Sequence, residues 1–443
     1  MFLNYLKLAI KVLGRRKFFT FISLFGISFT LMILMIVTAF LDTQIGKNAP
    51  LSNSDELVFS DMIIMKLMVP DTTNIVDSTL MDGVMRYDTT YDVGERQSSY
   101  SSSSFGFWML DQHLRDIGPQ ENFSLYSSGH SFDLFLNNNK LTLFGIYTDA
   151  PYWEIFDFQF IEGKPYSAQS VENQEQVVVM TDKAAEKYFG RSRDIVGESI
   201  ELGKKEYKII GLIKPSLTAE SFVHSDLYFP YTNIDPRYLE DGKMQGGFNS
   251  VFQVENPKQR EALIDAIAFF GDNFNMPNPE RYNDLTLIGK TFFTSYAYQL
   301  VTFYDDPKKS AWIALVILSG LLFLFLLLPT LNLININVSR IMERSSEIGV
   351  RKAFGASQGQ ILTQFIFENI ILTFLGGVIG LILAVALQRV INASQLLGDL
   401  EMQFNYRVFL YAVLICLVFG IISGFIPARR MSKLHVVNAL KQA

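Results

Sequence analysis

Apolar and polar positions are distributed very unevenly along this chain of 443 residues. Four stretches of at least 20 residues carry no charged side chain: Phe18–Leu41, Ser310–Ser339, Asn369–Gln388 and Val408–Ala428. A helix that crosses a bilayer needs about 20 predominantly apolar residues. The pattern therefore predicts four transmembrane α-helices, over residues 18–41, 310–339, 358–388 and 408–428.

The long segment 42–309 has the mixed pattern of a folded α/β domain. We predict strands over Leu141–Ile146 and Val177–Met180, a helix over Asp182–Phe189, and a hairpin that joins Ser199–Leu202 to Tyr207–Ile213. We expect a mobile loop at Ser98–Ser104, which holds six serines, a loop at 271–281 and a helix shortly before the second apolar stretch. Most of residues 43–140 carries no pattern that predicts its fold.

Charge divides the chain between the two sides of a membrane. Residues 1–17, 340–352 and 427–443 together carry 13 basic and two acidic residues, whereas 42–309 carries 23 basic and 39 acidic ones. Because lysine and arginine mark the cytoplasmic side, we expect both termini and 340–357 there, with 42–309 and the short loop 389–407 outside. With only 19% charged residues overall, the chain is neither a soluble enzyme nor disordered.

The flanks of the apolar stretches carry further signals. Lys7, Lys11 and Arg15 recur on one face of residues 1–17, which predicts either an amphipathic helix on the inner leaflet or a plain basic flank. Pro329 predicts a kink or an end of the second membrane helix. The first apolar stretch is too long for a secretory signal peptide and has no small-residue cleavage site. Residues 429–443 form the predicted cytoplasmic tail.

The residues that usually carry catalysis or bind metal form no recognisable group. None of the four histidines lies within metal-ligand spacing of another or of the single cysteine, Cys416. The tripeptide Gly289-Lys290-Thr291 ends like a phosphate-binding loop, but Asp284 stands where the first glycine belongs, and we reject that reading. We predict no catalytic residue, no metal and no cofactor in this chain.

The predicted cytoplasmic segment 343–357 is the most informative part of the sequence. Glu347 and Arg351 are spaced to pair on one helical face, and Gly355 is placed to end that helix. Ser357 and Gln360 have the spacing of a capping box that starts the third membrane helix. A short charged and apolar helix at this place suits docking on a cytoplasmic partner; an ordinary interfacial helix is the alternative.

Small residues recur every fourth position in the last two membrane helices, as Gly376 and Gly380 in the third and Gly420 and Gly424 in the fourth. This spacing lets helix backbones approach closely in lipid, so we expect these four glycines to pack helices together. Glu368 is an acid within the third helix and shares a face with Gln364. It is either a functional group or a structural one that reaches the headgroup region.

The motifs together resemble one known family. The run ERSSEIGVRKAFGASQGQILTQFIFENIILTF at 343–374 is similar to the signature of MacB/FtsX-type permeases, the mechanotransmission (type VII) class of ABC transporters. The ending that starts at Pro427 resembles the family's tail, with Met431 and Val436 as departures. Residues 156–164, 177–190 and 196–211 look like the family's periplasmic core domain. The layout of one crossing, a large outer domain and three crossings also agrees.

The resemblance implies a role for the cytoplasmic segment. The family's ATPase-coupling element corresponds to Glu347, Ile348, Gly349, Val350, Arg351, Lys352 and Phe354. Ile348 and Phe354 would fill a groove of an ABC ATPase, and Arg351 or Lys352 would pair with its acids. The ATP would be bound and hydrolysed by that separate subunit. The resemblance also implies a homodimer or a heterodimer with a related permease, in the bacterial cytoplasmic (inner) membrane and in contact with its lipids.

Three functions follow as hypotheses. The first is an export permease that passes ATP-driven motion to its outer domain and extrudes a peptide, an antibiotic or a lipoprotein, with a periplasmic adaptor as a candidate partner. The second is FtsX-like signalling to a cell-wall hydrolase. The third is a membrane-anchored ligand receptor, against which the absence of a cytoplasmic output domain in this sequence counts. We expect no nucleic-acid partner for any of them.

Overall fold

The computed structural model describes residues 14, 17–394, 396 and 402 and seven positions between 410 and 425, except for 82–83, 137–138, 217, 219, 221, 240–241, 302–305, 344–349 and 351–353. The chain divides into two compact units. Residues 1–44 and 312–443 form one of them, named here the helical unit. Residues 45–311 form the other, named the α/β unit.

The described helices are α1 Lys17–Ile45, α2 Phe107–Met109, α3 Tyr152–Ile155, α4 Ala168–Glu172, α5 Asp182–Phe189, α6 Arg260–Asp272, α7 Phe292–Leu300, α8 Pro307–Glu343 and α9 Gln358–Ala393. A π-helical turn over Leu110–Leu114 follows α2 directly. The strands are β1 Leu57–Ser60, β2 Ile63–Met81, β3 Val84–Phe105, β4 Asn122–Ser127, β5 His130–Leu136, β6 Asn139–Thr148, β7 Phe160–Gly163, β8 Val177–Thr181, β9 Ser199–Leu202, β10 Lys205–Ile213, β11 Leu227–Pro230, β12 Gln245–Gly246, β13 Phe248–Gln253 and β14 Asp284–Leu287.

Three helices of the described chain are long and apolar enough to span a bilayer. These spans are Thr20–Ile45 in α1, Pro307–Leu324 in α8 and Gly359–Ala393 in α9, and they agree with the first three predicted crossings. Isolated described positions between 410 and 425 are helical, but most of the fourth predicted crossing lies outside the described residues. The count of four crossings therefore stays a prediction. Most of the predicted N-terminal helix also lies outside the described residues.

The second membrane helix is longer than its sequence predicts. Helix α8 continues through Pro329 to Glu343, so Pro329 does not end it. A proline removes one backbone hydrogen bond from a helix. In lipid no water replaces the remaining bonds if the helix stops, which favours keeping the helical backbone on both sides of the proline.

One sheet organises the α/β unit. Its strand order is β14-β2-β3-β13-β4-β6-β11-β8-β10-β7, with β6–β11 and β8–β10 as parallel pairs. Alternate residues of a strand face opposite sides of the sheet. Val178 and Met180 accordingly pack in one hydrophobic cluster, and Val177 and Val179 in another. Strand β8 is thus buried along its whole length, which accounts for its uninterrupted apolar sequence.

Several local predictions are confirmed in this unit. Helix α5 has the predicted bounds, because the Thr181 side chain accepts a hydrogen bond from the Ala184 backbone N–H and Gly190 ends the helix with φ of 72°. The hairpin of β9 and β10 turns at Gly203, whose φ is 65°. The positive φ of both glycines is a conformation that other residues rarely adopt. Helix α7 is the helix that was expected before the second apolar stretch.

The predicted mobile loop at Ser98–Ser104 is wrong. These serines belong to β3, where Ser102 and Ser101 lie opposite Ile64 and Met65 of β2. Serine-rich sequence carries no apolar alternation, so the pattern of the segment itself did not indicate a strand. Its partner strand supplies the apolar side chains, among them the buried Ile63 and Met65.

Residues 63–105 form a long hairpin within the segment that carried no predictable pattern. Strands β2 and β3 pair antiparallel from Ile63 and Ser103 out to Met81 and Val84. The sequence between the two strands is Asp82-Gly83, which lies outside the described residues, and this dipeptide is typical of tight β-hairpin turns. That dipeptide, preceded by Met81 and followed by Val84, was the available sequence signal.

Candidate functional site

The segment between α8 and α9 holds the predicted ATPase-coupling residues. Glu347, Ile348, Gly349, Arg351 and Lys352 lie outside the described residues. Val350 is helical, and its carbonyl accepts a hydrogen bond from the Phe354 N–H at 3.1 Å. Gly355 follows with φ of 91°, the left-handed conformation in which a helix commonly ends. The described part of the segment therefore has the geometry of a helix terminus.

Phe354 presents a large apolar side chain at this terminus. It is 88% exposed, and Val350 one turn earlier is also exposed. Ser357 then begins α9 with a complete capping box, since its side chain accepts from the Gln360 N–H while the Gln360 side chain accepts from the Ser357 N–H. This reciprocal pair fixes where α9 starts. The exposed phenylalanine is thus attached to a defined helix start.

Close packing of α9 on α1 builds the described interior of the helical unit. A Cβ atom at Gly376 would lie 2.6 Å from Ile27 Cγ2, and one at Gly380 would lie 2.8 Å from the Ser28 carbonyl oxygen. Real Cβ atoms do not approach other atoms so closely, so only glycine fits at either position. At both positions the backbone of α9 lies directly against α1, and helix packing stays the predicted role of these two residues. Gly420 and Gly424 lie outside the described residues, and their role stays a prediction.

Glu368 lies on α9 and is only 2% exposed within the helical unit. The Gln364 Nε2 group donates a hydrogen bond to its Oε1 at 2.9 Å. Gln364 is buried as well, so the two polar side chains compensate each other inside the unit. Both alternatives for Glu368, a functional group and a structural one that reaches the headgroup region, stay predictions.

A second polar arrangement lies in the α/β unit, at the segment that leads into α7. Lys290 is buried, and its Nζ forms an ion pair with Asp61 and sits 5.0 Å from the ring centre of Tyr298 on α7. Its backbone pairs with Phe59 in both directions. Thr291 caps α7 by accepting from the Thr294 N–H. The rejected phosphate-loop tripeptide thus has a structural role, which is to anchor the start of α7.

Glu220 holds the other end of α7. It is buried, and the Gln299 Nε2 group donates to its carboxylate at 3.1 Å. Burial raises the pKa of Glu220, and the nearby Asp61 raises it further. Burial likewise raises the pKa of Tyr126, with Asp61 and Glu220 adding to the shift. The lone lysine in the apolar run before α7 was the only sequence signal for this cluster.

The described residues contain no group of three or more histidine, cysteine, aspartate or glutamate side chains that could hold a metal ion. Among the described residues, the features of note are an exposed helix terminus at Phe354, a close contact of α9 with α1, and helix α7 anchored by Lys290 and Glu220.

Comparison with known proteins agrees with this description. The family model for a MacB-like periplasmic core domain matches residues 20–268, more than half of the chain, and the model for an FtsX-like permease C-terminal region matches 319–436. The chain belongs to the MacB/FtsX family of ABC transporter permeases. In a membrane permease, α1, α8 and α9 are the candidate membrane helices, and most of the α/β unit falls within the match to the periplasmic core domain.

Several relatives of this permease have names that describe export. It is 26% identical to the macrolide export ATP-binding/permease protein MacB of Acinetobacter baylyi over 309 residues, which is 69% of this chain and 43% of the relative. It is 26% identical to the pyoverdine export ATP-binding/permease protein PvdT of Pseudomonas syringae pv. syringae over 302 residues, which is 66% and 42% of the two chains. The permease thus spans less than half the length of these relatives.

Solved structures give a weaker likeness. The periplasmic region of MacB from Actinobacillus actinomycetemcomitans matches with a TM-score of 0.32 and 14% identity, covering 44% of this permease and 82% of that chain. The extracellular domain of the ABC-type transporter YknZ from Gram-positive bacteria matches with a TM-score of 0.31 and 15% identity, covering 40% and 86%. The family assignment rests on the family models and the sequence relatives.

Proposed function

We propose that this chain is the permease part of an ABC export system that passes ATP-driven movement from a cytoplasmic ATPase to its periplasmic core domain. The observation that carries the proposal is the order of the two family matches along one chain, a core domain followed by the FtsX-like permease region. The names of the relatives, which pair ATP binding with export, support the same class of activity.

The ATPase docks on the segment between α8 and α9. An 88% exposed phenylalanine is unfavourable in water, and Phe354 belongs to the run that resembles the family's coupling element. The proposed contact inserts Phe354, together with Ile348, into an apolar groove of the ATPase. Arg351 or Lys352 pairs with acidic residues at the rim of that groove. In this arrangement ATP is the ATPase's ligand, and the permease itself carries no catalytic residue.

Movement reaches the core domain through helix α7. Leu300 ends α7, and Pro307 begins the membrane helix α8 after only six residues of chain. Lys290, Asp61 and Glu220 bind α7 to the sheet of the α/β unit, so a displacement of α8 pulls on an anchored element. The chain works as a dimer in the inner membrane with both termini cytoplasmic, and its cargo is a peptide, an antibiotic or a lipoprotein.

The test is affinity purification of the tagged chain from native membranes under mild detergent, with partners identified by mass spectrometry. We expect a stoichiometric ABC ATPase, and we expect Phe354→Ala or Arg351→Glu with Lys352→Glu to remove it. Phe374→Ala is the matched control, because Phe374 is also exposed, at 63%, but lies within the membrane helix α9.

The outcome separates the hypotheses. Loss of the ATPase from the Phe354→Ala chain, but not from the Phe374→Ala control, supports the docking model. A co-purified adaptor supports export. A folded chain that recovers no ATPase contradicts the proposal and favours a receptor. A co-purified cell-wall hydrolase in place of an adaptor favours signalling over export.

A further inference from the structure

A surface cavity of the α/β unit has walls made largely of aromatic rings. Its volume is about 530 Å³, and it lies between the π-helical turn after α2 and the C-terminal end of α6. Five rings line it: Trp108, His113, Phe269, Phe270 and Phe274. Ligand cavities in proteins commonly have volumes of about 300–1,000 Å³ and mostly apolar walls. The cavity is therefore the size of a small-molecule site.

His113 stands among three of these rings. Its ring centre is 4.5 Å from that of Trp108 and 5.3 Å from that of Phe274, both edge to face, and Phe270 lies 6.2 Å away. The Nε2 atom of His113 is buried and has no hydrogen-bond partner among the described residues. Buried polar atoms are nearly always paired in folded proteins. Its hydrogen-bonding capacity is unused, and a ligand that displaces a neighbouring ring and brings a hydroxyl or carbonyl group would satisfy it.

The backbone that places His113 is itself unusual. Residues 110–114 form a π-helical turn, a wider geometry than the α-helix that occurs mostly as single turns and often at functional sites. Leu110 and Leu114 of the same turn are fully buried in the core of the unit. The two buried leucines therefore hold the turn to the core, and His113 of the same turn packs among the rings of the cavity.

The chemistry of the walls defines the ligand. Phe269 is 68% exposed, so one large ring face is free for stacking, and Asn273 and Asn275 add amide groups at the cavity. None of the lining residues is acidic, and none is a lysine or an arginine. His113 already occupies the space that its three neighbouring rings surround, so these rings cannot enclose a cation.

We propose that this cavity binds an uncharged small molecule that carries a planar aromatic ring and a hydroxyl or carbonyl group. The ring stacks on Phe269 and the polar group bonds to His113. This inference is independent of the proposed export function, because every residue it uses lies in the α/β unit and none takes part in ATPase docking.

The test uses the full chain in lipid nanodiscs with Trp108 as the only tryptophan. The chain has three tryptophans, so Trp153→Phe and Trp312→Phe leave Trp108 as the reporter. The probe is 4-nitrobenzyl alcohol, a neutral aromatic alcohol that quenches indole fluorescence on contact. We expect saturable quenching that neither cyclohexylmethanol, which lacks the planar ring, nor benzyltrimethylammonium, which is cationic, reverses. Saturation-transfer NMR on the unaltered chain replaces this readout if Trp153→Phe disturbs folding.

Two variants assign the site. Phe269→Ala is expected to weaken binding about fivefold through loss of the stacking ring, and His113→Phe to weaken it while keeping a ring in place. Phe135→Ala is the control, because Phe135 is 76% exposed on β5 and does not line the cavity. Quenching that rises linearly without saturation, or equal affinity in Phe269→Ala and the unaltered site, overturns the proposal. Reversal by benzyltrimethylammonium overturns the uncharged ligand class.

Discussion

The two units of this permease handle buried polar groups in different ways. In the helical unit, the buried Glu368 accepts a hydrogen bond from the neutral Gln364 one turn away. The contact of α9 with α1 includes glycines that lie directly against Ile27, Ser28 and Leu31. In the α/β unit, Lys290 is buried against the opposite charge of Asp61. Close approach of helix backbones stabilises the helical unit. In the α/β unit, the ion pair of Lys290 with Asp61 positions the start of α7.

The difference follows from the surroundings of each unit. Lipid is as apolar as the side chains it contacts, so helices gain little from hydrophobic burial and depend on close packing. The α/β unit lies in water, where burial of its sheet faces supplies most of the stability. It can therefore hold a few buried charges, provided that each is paired.

The largest expected effect on stability comes from breaking the ion pair of Lys290 with Asp61. Lys290→Met leaves Asp61 without its counter-charge, which destabilises the α/β unit by about 3 kcal/mol, at the low end for a buried pair because Asp61 is partly exposed. Urea unfolding of the full chain, followed by tryptophan fluorescence, measures the change.

A second variant distinguishes charge from packing in that result. Adding Asp61→Asn to Lys290→Met should restore most of the loss. Lys308→Met is the control, because the exposed pair of Lys308 with Glu261 contributes at most about 1 kcal/mol. Equal losses for Lys290→Met and Lys308→Met would contradict the anchoring role of Lys290.

The next effect concerns a buried acid of the same unit. Burial raises the pKa of Asp149 to about 6, although Ser124 and the Leu125 N–H donate hydrogen bonds to it. Because the folded protein binds this proton more tightly than the unfolded chain, the contribution is favourable below about pH 4 and is lost as pH rises through 6. The loss is about 3 kcal/mol.

The measurement compares the free energy of unfolding of the unaltered chain and of Asp149→Asn between pH 4 and pH 7. The difference between the two proteins should change across this range and stay constant above it. A difference that is the same at every pH would show that Asp149 has an ordinary pKa in the folded protein.

A smaller effect tests close packing in the helical unit. A methyl group added at Gly380 meets the Ser28 backbone, whereas one added at Gly377 meets only Leu31 Cδ1 at an ordinary 3.8 Å. Gly380→Ala should cost about 1–3 kcal/mol by overpacking, and Gly377→Ala should cost little. Thermal unfolding in nanodiscs and gel filtration in detergent measure stability and assembly. Equal behaviour of the two variants would sink the packing role of Gly380.

The smallest effect on stability accompanies the largest expected effect on function. Glu347→Lys with Arg351→Glu keeps an opposite-charge pair four residues apart, so helix stability changes by only about 0.5 kcal/mol. Reversal of the charges should nevertheless uncouple ATP use from movement of the core domain. Spin labels attached at Glu186→Cys in chains that also carry Cys416→Ser report that movement as a change in the distance between the two labels of the proposed dimer. Unchanged nucleotide-dependent distances in the double variant would contradict the coupling role.

Local signals in the sequence predicted much of the described structure. The uncharged stretches agree with the membrane helices α1, α8 and α9, and Ser357 with Gln360 marked the start of α9. Thr181 marks the start of α5 and Gly190 marks its end. A capping side chain and a left-handed glycine both act within one helical turn. Such signals are readable without tertiary structure, since all their atoms lie a few residues apart.

The coupling segment was found by resemblance, and its central residues stay predictions. The serine-rich strand β3 was misread because its apolar support comes from another strand. Both cases have the same cause. The structure of β3 and the role of the coupling segment depend on contacts with other parts of the chain or with a partner, and the residue types of each segment do not reveal those contacts.

The sequence by itself determined the membrane crossings that are described, the helix caps and the family. Only the tertiary structure decided that Lys290 meets Asp61, that Gly380 meets Ser28, and that Trp108 and His113 share a cavity with Phe269. Each of these contacts joins residues more than 150 positions apart. Their formation depends on the packing of the whole unit, because a side chain's partner across a sheet or between two helices is set by register and burial. Neither of these appears in the local pattern of the chain.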